Sequence, residues 1–437
     1  MGANAYRASH NPPTPELLDA CDSLGMLVLD ETRLLTGGKE YLQQFRDLVK
    51  RDRNHPSVFM WCIGNEEETI QQLETGKRTA RTYLNELKKL DTTRTATYGA
   101  NLGNVFNGIN EVIPVRGFNY NISGLDAYKN DHPDQPVLGT EVGSTVTTRG
   151  VYVTDSAKAY LSDFDENYPP WASTAEQWWK LAVARDWMMG GFVWTGFDYR
   201  GEPTPFQWPN INSHFGIMDM CGFPKSIYYY YQSWWTDRDV LHIAPHWNWK
   251  GKEGQPIKVW VNSNAEVVEL FLNKKSLGKQ TMPRNGHLQW QVKYQPGALR
   301  AVARKGKRVF ERSIQTTGPA ASIVLSSPRK TILADGSDAT VINVSVNDRN
   351  GYPVPDASSL IHFTVKGDAK IIGVGNGDPS CHEPDQYPEK DQYSRSLFNG
   401  KCQAILRSGT TPGDITITAN SAGLQPCGLT LSQINNR

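Results

Sequence analysis

Long apolar runs are missing from this 437-residue sequence, and so is any surplus of charge. No stretch approaches the ~18 consecutive apolar residues of a membrane-spanning helix, so no membrane insertion is expected. Lys and Arg number 46 against 45 Asp and Glu, and a net charge of +1 points to neither nucleic acid nor an acidic lipid surface as partner. Cysteine is scarce and scattered: the closest of the six, Cys381 and Cys402, lie 21 positions apart. That spacing excludes a CxxC redox motif and an ordinary zinc knuckle. Six cysteines are also too few for a disulfide framework, although Cys402 and Cys427 suit one bridge in an oxidising compartment. No fixed-period repeat and no low-complexity segment occurs. The start, Met1-Gly2-Ala3-Asn4-Ala5-Tyr6-Arg7, has neither the basic nor the apolar region of a signal peptide, so the chain is expected to carry no address of its own.

What is present is a globular composition, 38% apolar, 21% charged and 10% aromatic, in a chain long enough for about three domains. Twelve of the 13 tryptophans lie at or before Trp260, which divides the chain into unlike parts. Up to residue 237, seven short apolar runs, at 4–8, 26–30, 58–63, 96–99, 115–118, 136–139 and 191–194, alternate with helical stretches at 15–24, 41–52, 71–90 and 174–189. Thr14 before Pro15 reads as a cap followed by a first-turn proline. The runs are apolar on both faces, as parallel strands covered by helices are, and they recur at the spacing of a (β/α)8 TIM barrel. With seven runs, and the first beginning at Asn4, the expectation is a truncated barrel whose first strand is missing. After Trp235 the apolar period becomes two, at 257–261, 267–272 and 288–294, with Asn285-Gly286 expected as a hairpin-type turn before the third run. Gly318-Pro319 breaks this pattern, and alternation resumes at 341–346, 361–365, 371–374, 402–406 and 415–419. The expected fold class is multidomain α/β plus all-β: a truncated TIM barrel over 1–237, then two immunoglobulin-like β-sandwiches over 238–318 and 319–437.

In a parallel βα barrel, strand ends and their loops converge on one face, and catalytic side chains sit there. These ends carry Arg7 and His10 after the first run, Asp30-Glu31 after the second, Glu66 after the third and Glu141 after the sixth. Burying a carboxylate at the end of an apolar strand costs on the order of several kcal/mol unless it is paired or neutralised. Two such groups suit glycoside hydrolysis, in which one carboxylic acid protonates the leaving oxygen while the other attacks the anomeric carbon, ~5 to 5.5 Å away in a retaining enzyme. Mutual repulsion then keeps the acid protonated near neutral pH. Each glutamate alone has a blander reading. Glu66, Glu67 and Glu68 suit the first turn of a helix, and Glu141 suits a strand-end salt bridge.

Together these residues resemble glycoside hydrolase family 2, the group of β-galactosidases, β-glucuronidases and β-mannosidases. Arg7-Ala8-Ser9-His10-Asn11-Pro12 is similar to the family signature at barrel strand two, and Asn54 to Glu66 to its acid/base signature at strand four. Glu141, in Leu138-Gly139-Thr140-Glu141-Val142-Gly143, stands where the family nucleophile stands at strand seven, and Gly191 to Pro203 resembles the eighth strand with its loop. The resemblance implies a retaining exo-acting hydrolase with Glu66 as general acid/base and Glu141 as nucleophile. It further implies that Asn65 bonds the sugar 2-hydroxyl, that Arg7 and His10 support sugar and carboxylates, that Tyr120 stands near the nucleophile, and that Trp194 forms an apolar wall under the sugar. Trp178-Trp179, Tyr228 to Tyr231 and Trp234-Trp235 suit either an extended glycan subsite or the packing of helices against the barrel, of which packing is the expectation, and Gly375 to Pro379 are expected to form a turn.

The expected partner is an oligosaccharide or glycan ending in a β-D-galactoside. The Asn-x-Lys triplet with which β-glucuronidases grip the sugar carboxylate is absent after Trp194, and Gly201-Glu202-Pro203-Thr204-Pro205 is more like bacterial β-galactosidases. Arg200 leaves a β-glucuronidase as one alternative, and a catalytically incomplete carbohydrate-binding fragment is another. The loop from Asp30 to Leu35 lacks the histidine of the family's metal-dependent members, so no metal and no cofactor is expected. Family members carry two sandwiches and a first barrel strand ahead of this region, so the chain is expected to be a fragment. The resemblance implies a periplasmic or extracellular setting, and oligomeric state is left open.

Overall fold

Every apolar run of the first 194 residues becomes a parallel strand in the computed structural model, which describes residues 1–389 and 392–435. The strands are β1 (Ala5–Arg7), β2 (Leu27–Glu31), β3 (Val58–Asn65), β4 (Ala96–Ala100), β5 (Val115–Asn119), β6 (Val137–Val142) and β7 (Met188–Val193), paired in chain order in one sheet. Helices α1 (Pro15–Leu24), α2 (Lys39–Asp52), α3 (Glu74–Leu90), α4 (Leu125–Asp131) and α5 (Ala175–Val183) lie in the crossovers. Cα atoms of β1 and β7 approach within 8 Å without pairing. The sheet is a nearly closed barrel one strand short of eight, as expected. It belongs to a compact unit of residues 1–145 and 168–195; residues 146–167 and 196–437 form a second.

β3 shows how the barrel is built. Met60 and Cys62 cluster with Leu29, Val115 and Leu138 on one face, while Trp61 and Ile63 on the other meet Phe45 and Val49 of α2 and Tyr83 and Leu87 of α3. That two-sided burial is why the strands read as continuous apolar runs. α1 begins as expected, with the Thr14 hydroxyl accepting from the Leu17 N–H ahead of Pro15, and ends at Gly25 in the left-handed region (φ 68°). α5 is shorter than expected. A capping box of Thr174 and Gln177 starts it, but it stops at Val183, and 188–193 join the sheet beside β6. Gly191 permits this: a Cβ there would stand 2.7 Å from the Trp178 indole.

In the second unit, α6 (Ser226–Trp235) precedes a sandwich of β8 (Leu241–Ala244), β9 (Pro256–Ser263), β10 (Val267–Leu272), β11 (Lys275–Thr281), β12 (Leu288–Lys293), β13 (Ala298–Lys305) and β14 (Arg308–Gln315). Its sheets, β11-β10-β13-β14 and β12-β9-β8, enclose Val259, Val261, Leu270, Trp290 and Leu299. A second sandwich follows, of β15 (Ser322–Ser326), β16 (Thr331–Leu333), β17 (Ala339–Asn347), β18 (Leu360–Lys366), β19 (Ala369–Gly375), β20 (Ser394–Ser396), β21 (Lys401–Ser408), β22 (Gly413–Asn420) and β23 (Cys427–Ile434). Its sheets are β15-β17-β21-β19 and β16-β23-β22-β18-β20, and Cys402 lies unpaired in the core between them.

One expected hairpin is somewhere else. Asn285-Gly286 does turn the chain, with the Gly286 N–H donating to the Pro283 carbonyl, but it links β11 to β12, which belong to different sheets. Gly306-Lys307 closes a two-residue hairpin between β13 and β14, and so does Asn273-Lys274 between β10 and β11, both of its residues at positive φ (49° and 71°) and Leu272 opposite Lys275. A two-residue loop of this kind matches the twist of the flanking strands. Lysine in its second position hid it from the sequence pattern.

Candidate active site

Parallel strands all end at one rim, and the ends of β1, β2, β3, β5 and β6 bring Arg7, Glu31, Asn65, Asn119 and Glu141 there. The ladder is irregular at this rim: pairing slips between Cys62 and Asn65, between Phe118 and Asn119, and between Gly139 and Val142. Such slips re-aim the side chains that follow. Glu66 and Tyr120 adopt left-handed backbone conformations (φ 55° and 57°), which non-glycine residues rarely hold and which cluster at functional sites. α3 begins only at Glu74, so Glu66 is not in the first turn of a helix.

Arg7 is the hub. Its Nε donates to Glu31 Oε2 (2.7 Å), its Nη1 to Glu141 Oε1 (2.7 Å) and to the Thr140 carbonyl (3.0 Å), and its Nη2 to Asn65 Oδ1 (2.7 Å). Asn119 is a second hub, with Nδ2 donating to Asn65 Oδ1 (2.9 Å) and to Glu66 Oε1 (2.7 Å), and Oδ1 accepting from the Thr140 hydroxyl (2.6 Å). Both hubs spend the carbonyl of Asn65, which leaves its Nδ2 to donate to a ligand. Tyr120 donates its hydroxyl to Glu141 Oε2 (2.6 Å). His10 Nδ1 lies 2.8 Å from Glu31 Oε1, and its Nε2 lies 3.7 Å from Glu141 Oε1. The His10 ring stacks on Trp194 with centroids 5.1 Å apart. All seven residues singled out from the sequence therefore meet in one network.

The two glutamates sit in unlike fields. Burial, followed by the charge of Glu141, pushes the Glu66 carboxyl up to about 7, and the hydrogen bond from Asn119 only partly opposes this. Repulsion between the two acids, the cause anticipated from sequence, is thus second to desolvation. Glu141 instead receives Arg7 and Tyr120. Burial disfavours the Arg7 charge, but Glu31 and Glu141 outweigh it and raise its pKa. Burial also acts against ionised Glu31, yet Arg7 and His10 hold it below the usual carboxylate range. Burial and the charge of Glu141 keep Tyr120 well above the ordinary phenol value, so it remains a proton donor in its hydrogen bond.

Asn119, Thr140 and Gly99 belong to this network without any sequence pattern that marks a role for them. Only its place, directly before Tyr120 at a strand end, signals Asn119. Gly99 leaves room for the amides: a Cβ on it would stand 2.5 Å from Asn65 Oδ1 and 3.2 Å from Arg7 Nη2. Trp171, 41% exposed, packs against Tyr120 with ring centroids 4.3 Å apart. Among the described residues, Asp19, Asp22 and His55 have ligand-type atoms within 4.8 Å of one another. Both Asp22 oxygens are already engaged, by the Ser57 N–H and His55 Nδ1.

Comparison with known proteins gives a consistent set of likenesses. The model of the glycosyl hydrolases family 2 TIM barrel domain matches residues 1–40 and 37–236, and that of glycoside hydrolase family 2 C-terminal domain 5 matches 323–430. A domain of unknown function matches 254–310. The chain is 38% identical to a β-galactosidase of Bacteroides ovatus, over 99% of this chain and 57% of that protein. It is 31% identical to a putative β-glucuronidase of Formosa agariphila, over 95% of this chain and 44% of that one. A solved β-glycosidase from Bacteroides vulgatus superposes with a TM-score of 0.86 at 31% identity, covering 99% of this chain and 60% of that structure. The chain spans 57% and 44% of the length of these two sequence relatives.

Proposed function

The chain belongs to glycoside hydrolase family 2, and from that premise we propose that it is a retaining, exo-acting β-glycosidase acting foremost on β-D-galactosides. The observation that carries this reading is the unequal setting of two acids: Glu141 is held by Arg7 and Tyr120, while half-buried Glu66 keeps its proton up to about pH 7. In the first step a Glu141 oxygen attacks the anomeric carbon as the Glu66 proton passes to the glycosidic oxygen. The carbon–oxygen bond breaks, the alcohol leaves and a glycosyl ester remains on Glu141. Esterification removes the charge of Glu141, one of the two causes that hold Glu66 up, so the ionised Glu66 is favoured. It then takes a proton from the water that attacks the ester, which restores both acids. Asn65 donates to the sugar 2-hydroxyl, Arg7 and His10 steady the carboxylates, and Trp194 offers an apolar face to the ring.

A neutral sugar is favoured by where the cations are spent. Arg7 is committed to Glu31 and Glu141, and Arg200, the residue best placed by sequence to grip a uronate, is paired with Asp385. The domain limits at 237 and 318 are also proposals, supported by family matches that end at 236 and resume at 254 and 323. The test is turnover of p-nitrophenyl β-D-galactoside by the chain, followed by trapping with a 2-deoxy-2-fluoro galactosyl donor. Mass spectrometry should place the ester on Glu141, and Glu141→Gln should lower turnover by at least about a thousandfold. A label on another residue overturns the assignment, and a chain that binds galactose without any turnover is a carbohydrate-binding protein instead.

A further inference from the structure

We propose that a groove built around Trp208, in the second unit, is a binding subsite for a neutral oligosaccharide. Trp208 is 77% exposed, an unusual place for so large an apolar surface. The ring is nonetheless braced. His382 packs edge-on against it with centroids 4.8 Å apart, and His382 Nε2 lies 2.7 Å from the Pro209 carbonyl oxygen. Beside it opens a cavity of about 340 Å³ lined by Lys158, Tyr160, Phe206, Gln207, Trp208 and Ser380, large enough for a small ligand.

Three chain segments form the walls, and hydrogen bonds tie them together. The Ser380 hydroxyl donates to the Lys158 carbonyl (3.0 Å), Asn210 Nδ2 to the Ala159 carbonyl (3.4 Å), and the N–H groups of Ile211 and Asn212 to the Pro379 carbonyl (3.0 and 3.2 Å). A groove fixed in this way is ready-made, so a ligand loses little free energy in ordering it. Its chemistry is that of a sugar site: an aromatic face for the C–H side of a pyranose, with hydroxyl and amide groups at the edge for its hydroxyls. The lining contains no carboxylate, and its one cation, Lys158, has Asp155 3.7 Å away, which favours a neutral glycan over an anion.

The ligand class rests on the glycosidase reading, but the test needs no turnover. The full chain carrying Glu141→Gln is titrated calorimetrically with β-1,4-galactotriose, alone and with Trp208→Ala or Trp208→Phe added. Two sites are expected, one of them weakened about tenfold or more by Trp208→Ala and largely retained by Trp208→Phe, at unchanged Tm because the ring is exposed. Unaltered affinity in the alanine variant, or no binding of the trisaccharide at millimolar concentration, overturns the proposal. Loss of self-association without loss of sugar binding also overturns it and makes Trp208 a contact between copies. Trp208-dependent binding by a parent chain with no hydrolytic activity overturns the glycosidase reading and leaves the groove standing.

Discussion

Two forces act on the Glu66 carboxyl in the same direction, and both have consequences for stability. Its value of about 7 lies above the 4.5 of an ordinary glutamate, so the folded chain binds this proton more tightly than the unfolded one. Stability is therefore lost as pH rises from about 4.5 to about 7. Glu66→Gln keeps an oxygen for Asn119 but cannot ionise. Its Tm should exceed that of the parent at pH 8, the gap closing toward pH 4.5, and calorimetric scans across that range check it. A gap that does not change with pH contradicts the account. Gly99 makes a second residue-scale prediction. Alanine there places a carbon 2.5 Å from Asn65 Oδ1, so the amide must move and both hubs lose their shared acceptor. Gly99→Ala should lower kcat/KM by about a hundredfold, the scale of a misplacement near 1 Å, while the chain still folds. Rates equal to the parent's would show that Asn65 is not positioned this way.

At the scale of elements, strand positions were legible because apolar periodicity is local. All seven barrel runs and α1 came from residues within a few positions of each other. What was not legible had two causes: the end of α5, where 188–193 are drawn into the sheet beside β6, depends on contacts from elsewhere, whereas the hairpin at Asn273-Lys274 is local but lacks the glycine that marks such a turn. Lys274 holds φ 71° without being glycine. Relieving that conformation is worth ~1 to 2 kcal/mol, offset by the extra freedom of glycine in the unfolded chain, ~0.5 to 1 kcal/mol. Lys274→Gly should thus stabilise the chain by about 0.5 kcal/mol, read as a higher denaturant midpoint at unchanged m-value. A lower midpoint would mean that the lysine side chain contributes more than its backbone costs.

For the molecule as a whole, the proposed glycosidase activity carries an expectation about the sugar, and charge decides it. A uronate carboxylate needs an uncommitted cation, because a buried unpaired charge is costly. Arg7 and Arg200 are both committed to carboxylates. The chain should therefore prefer p-nitrophenyl β-D-galactoside over the glucuronide by about a hundredfold or more in kcat/KM. Parallel assays of the two substrates check this, and a reversed ratio would assign the carboxylate a partner outside these arginines.

The alternation of strands and helices, the change to sandwiches and the two strand-end glutamates are all written in neighbouring residues. Which atoms hold which follows only from folding in three dimensions. Arg7 meets Glu141 from 134 positions away and Asn119 meets Glu66 from 53, partnerships that exist only once parallel strands end at a common rim. The fold also decides that burial, ahead of repulsion, sets the proton on Glu66, because desolvation depends on what surrounds a carboxyl in space and not on what flanks it in the chain.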